Sequence, residues 1–491
     1  MALPNHLTSE IRTDDPLALS IKKKLESSVT FQSRTTERPI NIFRVPYHIR
    51  ERHKNFYEPR LVSIGPYHRG SERLKCMEEQ KLQYVRKMLD DNPDVTLNHY
   101  LEVLKKLEPA ARRCYYEKIY MDSGEFIEML LFDACFIIQL AVNWSFPVDD
   151  QDIVYDISWN IPLIKTDLLM LENQIPFFVL QNVFDLYSGK VVPSDLISPS
   201  STDPMSPDSE LDNVSLSEDS DPDRASLFDV LADFLQSGSE TLTLPEPDNN
   251  YDHLLDFYYQ CYMRTQKYTM KWREVSPIIS SIRRRLKMIM RRRLKMVMRK
   301  PRMIPCATML QEAGITFKKA DSKSIFNVHF SNGVLRIPYI VIEEAKRPLI
   351  MNLIAFEQCT GQRDKPLTSY AVFMDCIVNK TTDVLILEQN QIIENKMADE
   401  KAAAEFFDQL RYCAYLDYEE HHLAEVFVNV REYCDSGWQK YRVKLHRGYR
   451  SADLFKNPWT IISFLAAVVL LILAFLQTLY GIMSYYQGSS H

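Results

Sequence analysis

The apolar and polar positions alternate mostly with helical spacing. The pattern predicts helices over 74–89, 97–120, 124–144 and 166–187, resumes at Ser226, and predicts further helices over 348–360, 368–378, 382–394 and 398–446. In EFIEMLLFDACFIIQL (125–140) apolar residues nearly encircle the axis, which predicts a central, buried helix. In DLLMLENQIPFFVLQNVF (167–184), Pro176 predicts a kink or restart after Ile175. One β-hairpin is legible, 325–330 and 334–342 about Asn332-Gly333, and Pro338 predicts an edge position for its second strand.

Three stretches break this rhythm. Residues 1–38 are polar and predicted to be loosely ordered. Residues 40–70 (INIFRVPYHIRERHKNFYEPRLVSIGPYHRG) are aromatic-rich and punctuated by Pro and Gly, so they predict an extended, turning segment. Residues 188–225 mix Pro, Ser and acids and bury too little apolar surface to order, so they read as a disordered insertion.

The C-terminal end differs again. From Trp459 to Met483 the chain carries no charge, a length that predicts a transmembrane helix over 457–483 with a short tail at 484–491. Lys440, Arg442, Lys444, Arg447, Arg450 and Lys456 precede it and no Lys or Arg follows. That asymmetry predicts a tail-anchored, single-pass protein of the plasma membrane or an endomembrane, with its large N-terminal part cytosolic. The fold class expected is mainly α: a large helical domain over 39–456 with a small β-hairpin element, followed by the transmembrane helix.

Composition removes several chemistries. Only 12 of 491 residues are glycine, against an average near ~7%. No two glycines are closer than five positions, so G-x-G-x-x-G and G-x-S-x-G are absent. Gly65 and Gly70 have P-loop spacing but precede Ser71-Glu72 rather than Lys-Ser/Thr. Nine scattered cysteines include no C-x-x-C pair, which favours a reducing compartment and leaves no zinc quartet. No cofactor or metal is expected.

An unusual feature is a tandem octet, RRRLKMIM (283–290) and RRRLKMVM (291–298), within a basic segment over 283–302. On a helix, Arg284, Arg285, Arg291, Arg292, Lys295 and Arg299 share a face of ~120°. The readings are an anionic lipid surface, a calmodulin-like protein partner, or a nucleic-acid patch. Nucleic acid is disfavoured by the net charge of −6. The plainer reading is a solvated basic helix, neutralised by the acidic insertion.

Candidate chemistry is sparse. His48, His53 and His68 lie near Tyr47, Tyr57, Tyr67 and Arg50, which allows a phosphate or carboxylate pocket or simply packed and surface side chains. Asp133 and Glu172 lie in very apolar text and are candidate buried carboxylates, their pKa raised unless paired, with Arg112 or Arg113 as example partners. Glu419-Glu420-His421-His422 looks metal-rich but reads as an exposed polar helix face, because adjacent helical residues diverge by ~100°. Asn143, Asn213 and Asn379 head N-x-S/T sequons that matter only for a lumenal domain.

Several phrases occur together and in order: FRVPYHIR, VSIGPYHRG with LKCMEEQKLQYV, LLMLENQIPFFVL, LIAFEQC, TSYAVFMD, DVLILEQNQIIEN and NPWTIISFLAAVVLLILAFLQT. From about 40 to 486 they resemble the plant domain-of-unknown-function family 247, the UPF 0481 proteins. The resemblance implies one large domain, a C-terminal membrane helix and no established enzymatic activity. Some grass members are implicated in self-incompatibility. The acidic insertion and the duplicated octet depart from the family's pattern. The function expected is that of a membrane-anchored plant protein, acting by recognition or signalling through an unidentified protein partner and without catalysis. The alternatives are a cryptic enzyme with its site in 40–70, and a recognition protein whose large domain lies outside the cell.

Overall fold

Asp122 starts the helix around which the molecule is built. Its carboxylate accepts the Glu125 N–H at 2.8 Å, an N-cap that opens Ser123–Ser145. Buried residues run round this helix from Phe126 to Ala141, as its continuous apolar text requires. Lys75–Asp91, Leu97–Cys114, Phe177–Tyr187 and Leu227–Leu235 pack against it. The computed structural model describes residues 40–147, 152–189, 226–236, 242–244, 250–266, 303–360, 364–418, 421–435 and the helix Pro458–Gly488, with residues 17, 20 and 21.

A second group of helices comprises Arg347–Cys359, Pro366–Ile377, Thr381–Gln389 and Glu400–Tyr412, with Ala307–Glu312 and Ala424–Asp435 at its margin. Leu254–Thr265 lies between the groups and touches both. One hydrophobic core extends through the two, from Ile42 to Val430.

Among the described residues five short strands decorate this scaffold: β1 (Thr316–Ala320), β2 (His329–Ser331), β3 (Val334–Pro338), β4 (Ile340–Ile342) and β5 (Ile393–Asn395). Strands β2 and β3 form the expected hairpin, with Ser331 opposite Val334. Its turn has positive φ at both Asn332 (52°) and Gly333 (76°), as a two-residue primed turn demands. A Cβ on Gly333 would stand 2.6 Å from the Tyr433 hydroxyl. Strand β3 is central rather than an edge, because β1 pairs with it in parallel. Pro338 is tolerated because β2 reaches only as far as Arg336, so nothing on that side asks it for an N–H.

The mainly helical expectation stands, with corrections. The helical stretch expected over 166–187 restarts at Pro176 as read, but its first part ends at Leu168, so Asn160–Leu168 and Phe177–Tyr187 are separated by a buried, non-helical link. The helix expected over 398–446 breaks after Tyr412 and resumes at Ala424. Of residues 1–38 all but 17, 20 and 21, of the insertion read over 188–225 all but 188 and 189, and the segment 267–302 lie outside the described residues, and the basic octets go with them.

The transmembrane expectation is overturned. Among the described residues, no helix is long and apolar enough to cross a membrane. The C-terminal helix runs Pro458–Gly488. Its apolar side chains, Leu470, Leu471 and Phe475 among them, are exposed. The span at 457–483, the tail-anchored single-pass topology, the integral membrane partner and the plasma-membrane or endomembrane placement are all withdrawn on this ground.

Candidate functional site

The segment 40–70, called the strap, is not extended throughout: it holds two short helices, Tyr47–Arg52 and Lys54–Tyr57, and its backbone then has no helix or sheet ladder over residues 60–65. Buried amides need partners, and here side chains provide them. Asp167 Oδ2 accepts the N–H groups of Arg60, Leu61 and Val62 at 2.9, 2.7 and 3.1 Å. Asn173 Oδ1 accepts Ile64 N–H at 2.7 Å, and its Nδ2 donates to the Val62 carbonyl at 3.1 Å. Asp133 Oδ2 accepts Gly65 N–H at 2.7 Å, while Lys81 Nζ donates to Asp133 Oδ1 at 2.7 Å and to the Ser63 carbonyl at 2.5 Å. Gly65 adopts φ +73°, and a Cβ there would meet the Gln174 carbonyl oxygen at 2.3 Å. No side chain fits that approach.

The link LENQ (171–174) explains why the helix breaks. Gln174 Nε2 donates to the Leu168 and Met170 carbonyls, both at 2.7 Å, and its Oε1 accepts Leu255 N–H at 3.1 Å. The link therefore satisfies carbonyls at the end of the preceding helix and bonds to Leu254–Thr265. Leu171 N–H donates to Asn352 Oδ1 at 2.9 Å, and Asn352 Nδ2 donates to the Phe56 carbonyl at 2.7 Å. Glu172 Oε1 accepts Val45 N–H at 2.8 Å, and Oε2 takes Arg50 at 3.2 Å and Arg44 at 3.4 Å.

Only some of the residues nominated from the sequence come together. His68 reaches Glu172, Nε2 to Oε2 at 3.6 Å, and the Arg44 guanidinium lies 5.1 Å over the Tyr67 ring. Burial, then Arg44, Arg50 and Arg73, lowers His68 to about 4, so the imidazole beside Glu172 is neutral at pH 7. His48 is exposed, and His53 lies against Tyr412 instead, 5.2 Å between rings. Tyr57 is buried. Asp133 and Glu172 are buried carboxylates, as expected, and burial raises both against the opposing pull of Lys81 and Arg50. Their partners are nevertheless Lys81 and the strap arginines. Arg112 instead pairs with Glu108 at 2.8 Å and caps the Phe126 ring.

The remaining nominations resolve simply. His421 is buried rather than on an exposed helical face. Its ring meets Phe427 edge-on at 5.1 Å, and it precedes the helix that begins at Ala424. Glu419 and Glu420 lie outside the described residues, and among the described residues no group of three or more His, Cys, Asp or Glu could hold a metal ion. Asn143 is half-buried and bonded to Gln139 at 3.0 Å, whereas Asn379 is exposed and its N–H donates to Asp383 at 3.2 Å. Asn213, Arg284, Arg285, Arg291, Arg292, Lys295 and Arg299 fall outside the described residues.

Two surface features had no sequence nomination. One is an open cleft of about 440 Å³ between the strap and the start of Arg347–Cys359, lined by Lys54, Phe56, Arg60, Arg73, Glu344 and Pro348 among others. The other, called the aromatic face below, is a set of exposed apolar side chains at the end of the central helix and in the segment that follows it. Trp144, Phe146, Ile153 and Trp159 are 39%, 56%, 58% and 69% exposed. Local bonds tie the following segment back to the helix: Tyr155 hydroxyl donates to the Leu140 carbonyl at 2.5 Å, and Asn160 Nδ2 donates to the Ile153 carbonyl at 3.4 Å. Lys165 Nζ sits 4.1 Å over Trp144, and burial lowers it to about 8. The signal in the sequence was WSF (144–146) beside IVYDISW (153–159), four large apolar residues where a buried helix must end.

With this geometry described, relatives can be placed beside it. Residues 42–473 match the family described as plant protein of unknown function, DUF247. A UPF0481 protein of Arabidopsis thaliana is 28% identical over 455 residues, covering 90% of this chain and 86% of the relative. A second UPF0481 protein of Arabidopsis thaliana is 23% identical over 511 residues, covering 94% and 93%. No solved structure matches.

Proposed function

Given that the chain belongs to the plant DUF247 family, we propose that it is a recognition scaffold that binds a protein partner without catalysis. The observation that carries this reading is the exposed aromatic face, Trp144, Phe146, Ile153 and Trp159. Tryptophan and phenylalanine, here Trp144 and Phe146 at the end of the central helix and Trp159 at the start of Asn160–Leu168, are residue types that anchor protein interfaces. The rest of the molecule supports the same reading. Asp133, Asp167 and Glu172, the carboxylates nearest the strap, each hold backbone N–H groups of 45–65. Recognition is also the kind of role expected from the resemblance to family members linked to self-incompatibility.

The test is affinity purification from plant tissue with the wild-type chain and a Phe146→Ser/Trp159→Ser variant. Both side chains are exposed, so the variant should keep the wild-type melting temperature within about 2 °C, a surface-substitution effect. The reading requires at least one partner captured by the wild type and lost from the variant. Identical partner sets from two equally folded chains would refute it.

A further inference from the structure

The cleft beside the strap is separate from the aromatic face and has its own chemistry. Its base is apolar, with Pro59 and Pro348 buried and Phe56 half-buried. Its rim carries three cations, Lys54, Arg60 and Arg73, against two carboxylates, Glu58 and Glu344. Both carboxylates are already engaged: Glu58 takes Arg73 at 3.1 Å, and Glu344 takes Arg347 at 2.6 Å. Lys54 pairs with Glu51 at 3.2 Å, and both of those side chains are well exposed. Arg60 donates to the Asn55 carbonyl at 3.3 Å, and its guanidinium acts electrostatically on the buried Asp167 carboxylate. Arg60 and Lys54 therefore present exposed cationic donors at the rim, with the buried Asp167 carboxylate behind Arg60.

The walls are fixed before any ligand arrives. Asp167 holds the N–H of Arg60 itself at 2.9 Å, Asn352 holds the Phe56 carbonyl, and the Arg347 guanidinium lies 5.7 Å from the Phe56 ring centroid. A volume of about 440 Å³ falls within the usual range for small-molecule sites. We infer that this cleft binds a small organic anion, its carboxylate or phosphate at Arg60 and Lys54 and its apolar body against Phe56, Pro59 and Pro348. Guanidinium and ammonium donors suit such an anion, and the flat base suits an aromatic or branched body.

Calorimetric titration of the full chain tests this with phenyl phosphate, benzoate, inorganic phosphate and benzyl alcohol. Saturable one-to-one binding of phenyl phosphate or benzoate is expected. Inorganic phosphate, which lacks the body, and benzyl alcohol, which lacks the charge, should each bind at least tenfold more weakly. Arg60→Gln should weaken the organic anion at least tenfold at unchanged melting temperature, and Lys54→Met should weaken it about threefold. Lys105→Gln, a distant exposed lysine, should change nothing. No saturation by either organic anion, or equal affinity in Arg60→Gln and wild type, would overturn the assignment.

Discussion

Asp133 and Glu357 are carboxylates buried to the same degree in the two helical groups, and they are held in opposite ways. Asp133 faces the buried ammonium of Lys81 at 2.7 Å and takes one backbone N–H, from Gly65. Glu357 takes four neutral donors: the Tyr259 hydroxyl at 2.7 Å, the N–H groups of Leu367 and Thr368 at 3.0 and 2.7 Å, and the Thr368 hydroxyl at 2.7 Å. Burial raises both carboxyls above their ordinary range. The ion pair fastens an irregular strap to a helix through two long-range contacts, so losing either partner strands a charge. The neutral cage spreads the same task over a helix start, where N–H groups lack intrahelical partners anyway.

The largest expected effect is at Gly65. Gly65→Ala places a Cβ against the Gln174 carbonyl in a backbone region that alanine disfavours. It should lower stability by about 3–5 kcal/mol in urea denaturation. Next, Lys81→Met leaves Asp133 buried beside no cation and should cost about 3–5 kcal/mol, with part regained in Lys81→Met/Asp133→Asn. Glu357→Gln keeps the shape but turns an amide toward two donors, so about 1–3 kcal/mol is expected. If Glu357→Gln proved as damaging as Lys81→Met, the distinction between pair and cage would fail.

The smallest effect sharpens the comparison through pH. Asp256 is another buried carboxylate held by neutral donors, accepting the Asp252 N–H at 3.0 Å and Gln260 Nε2 at 3.0 and 3.1 Å. Burial pushes it up to about 7, against those hydrogen bonds. A carboxyl raised in the folded state binds its proton more tightly there than when unfolded. Its contribution is therefore complete below the unfolded value near ~3.9 and is lost as pH rises through about 7. Stability curves of wild type and Asp256→Asn measured from pH 4 to 8 should show the variant gaining relative to wild type as pH rises, then running parallel above 7. Parallel curves throughout would contradict this.

The sequence made the central helix legible because its apolar run leaves no polar stripe, and the hairpin because Asn332-Gly333 has few other uses. The buried link was not legible as such. Helical spacing carries smoothly across Leu168–Ile175, and only tertiary partners far along the chain, Val45, Ile64 and Leu255, make Glu172, Asn173 and Gln174 worth burying. Three consecutive polar residues inside apolar text were the available hint, since no single helical face holds all three. Strand β1 escaped for a related reason: TFKKA alternates weakly, and β3 supplies its pairing. At the candidate site the histidines drew notice by type, whereas the cleft and the aromatic face depend on which side chains the fold leaves exposed.

Amide hydrogen exchange on the full chain, wild type against Asp167→Ala, tests the clamped strap most directly. The wild type should protect residues 60–65 although they belong to no helix or sheet. In the variant, exchange at 60–62 should accelerate at least tenfold while 126–141 in the central helix stays protected. Unchanged exchange at 60–62, or an equal loss of protection in both regions, would contradict the claim that these side chains hold the strap.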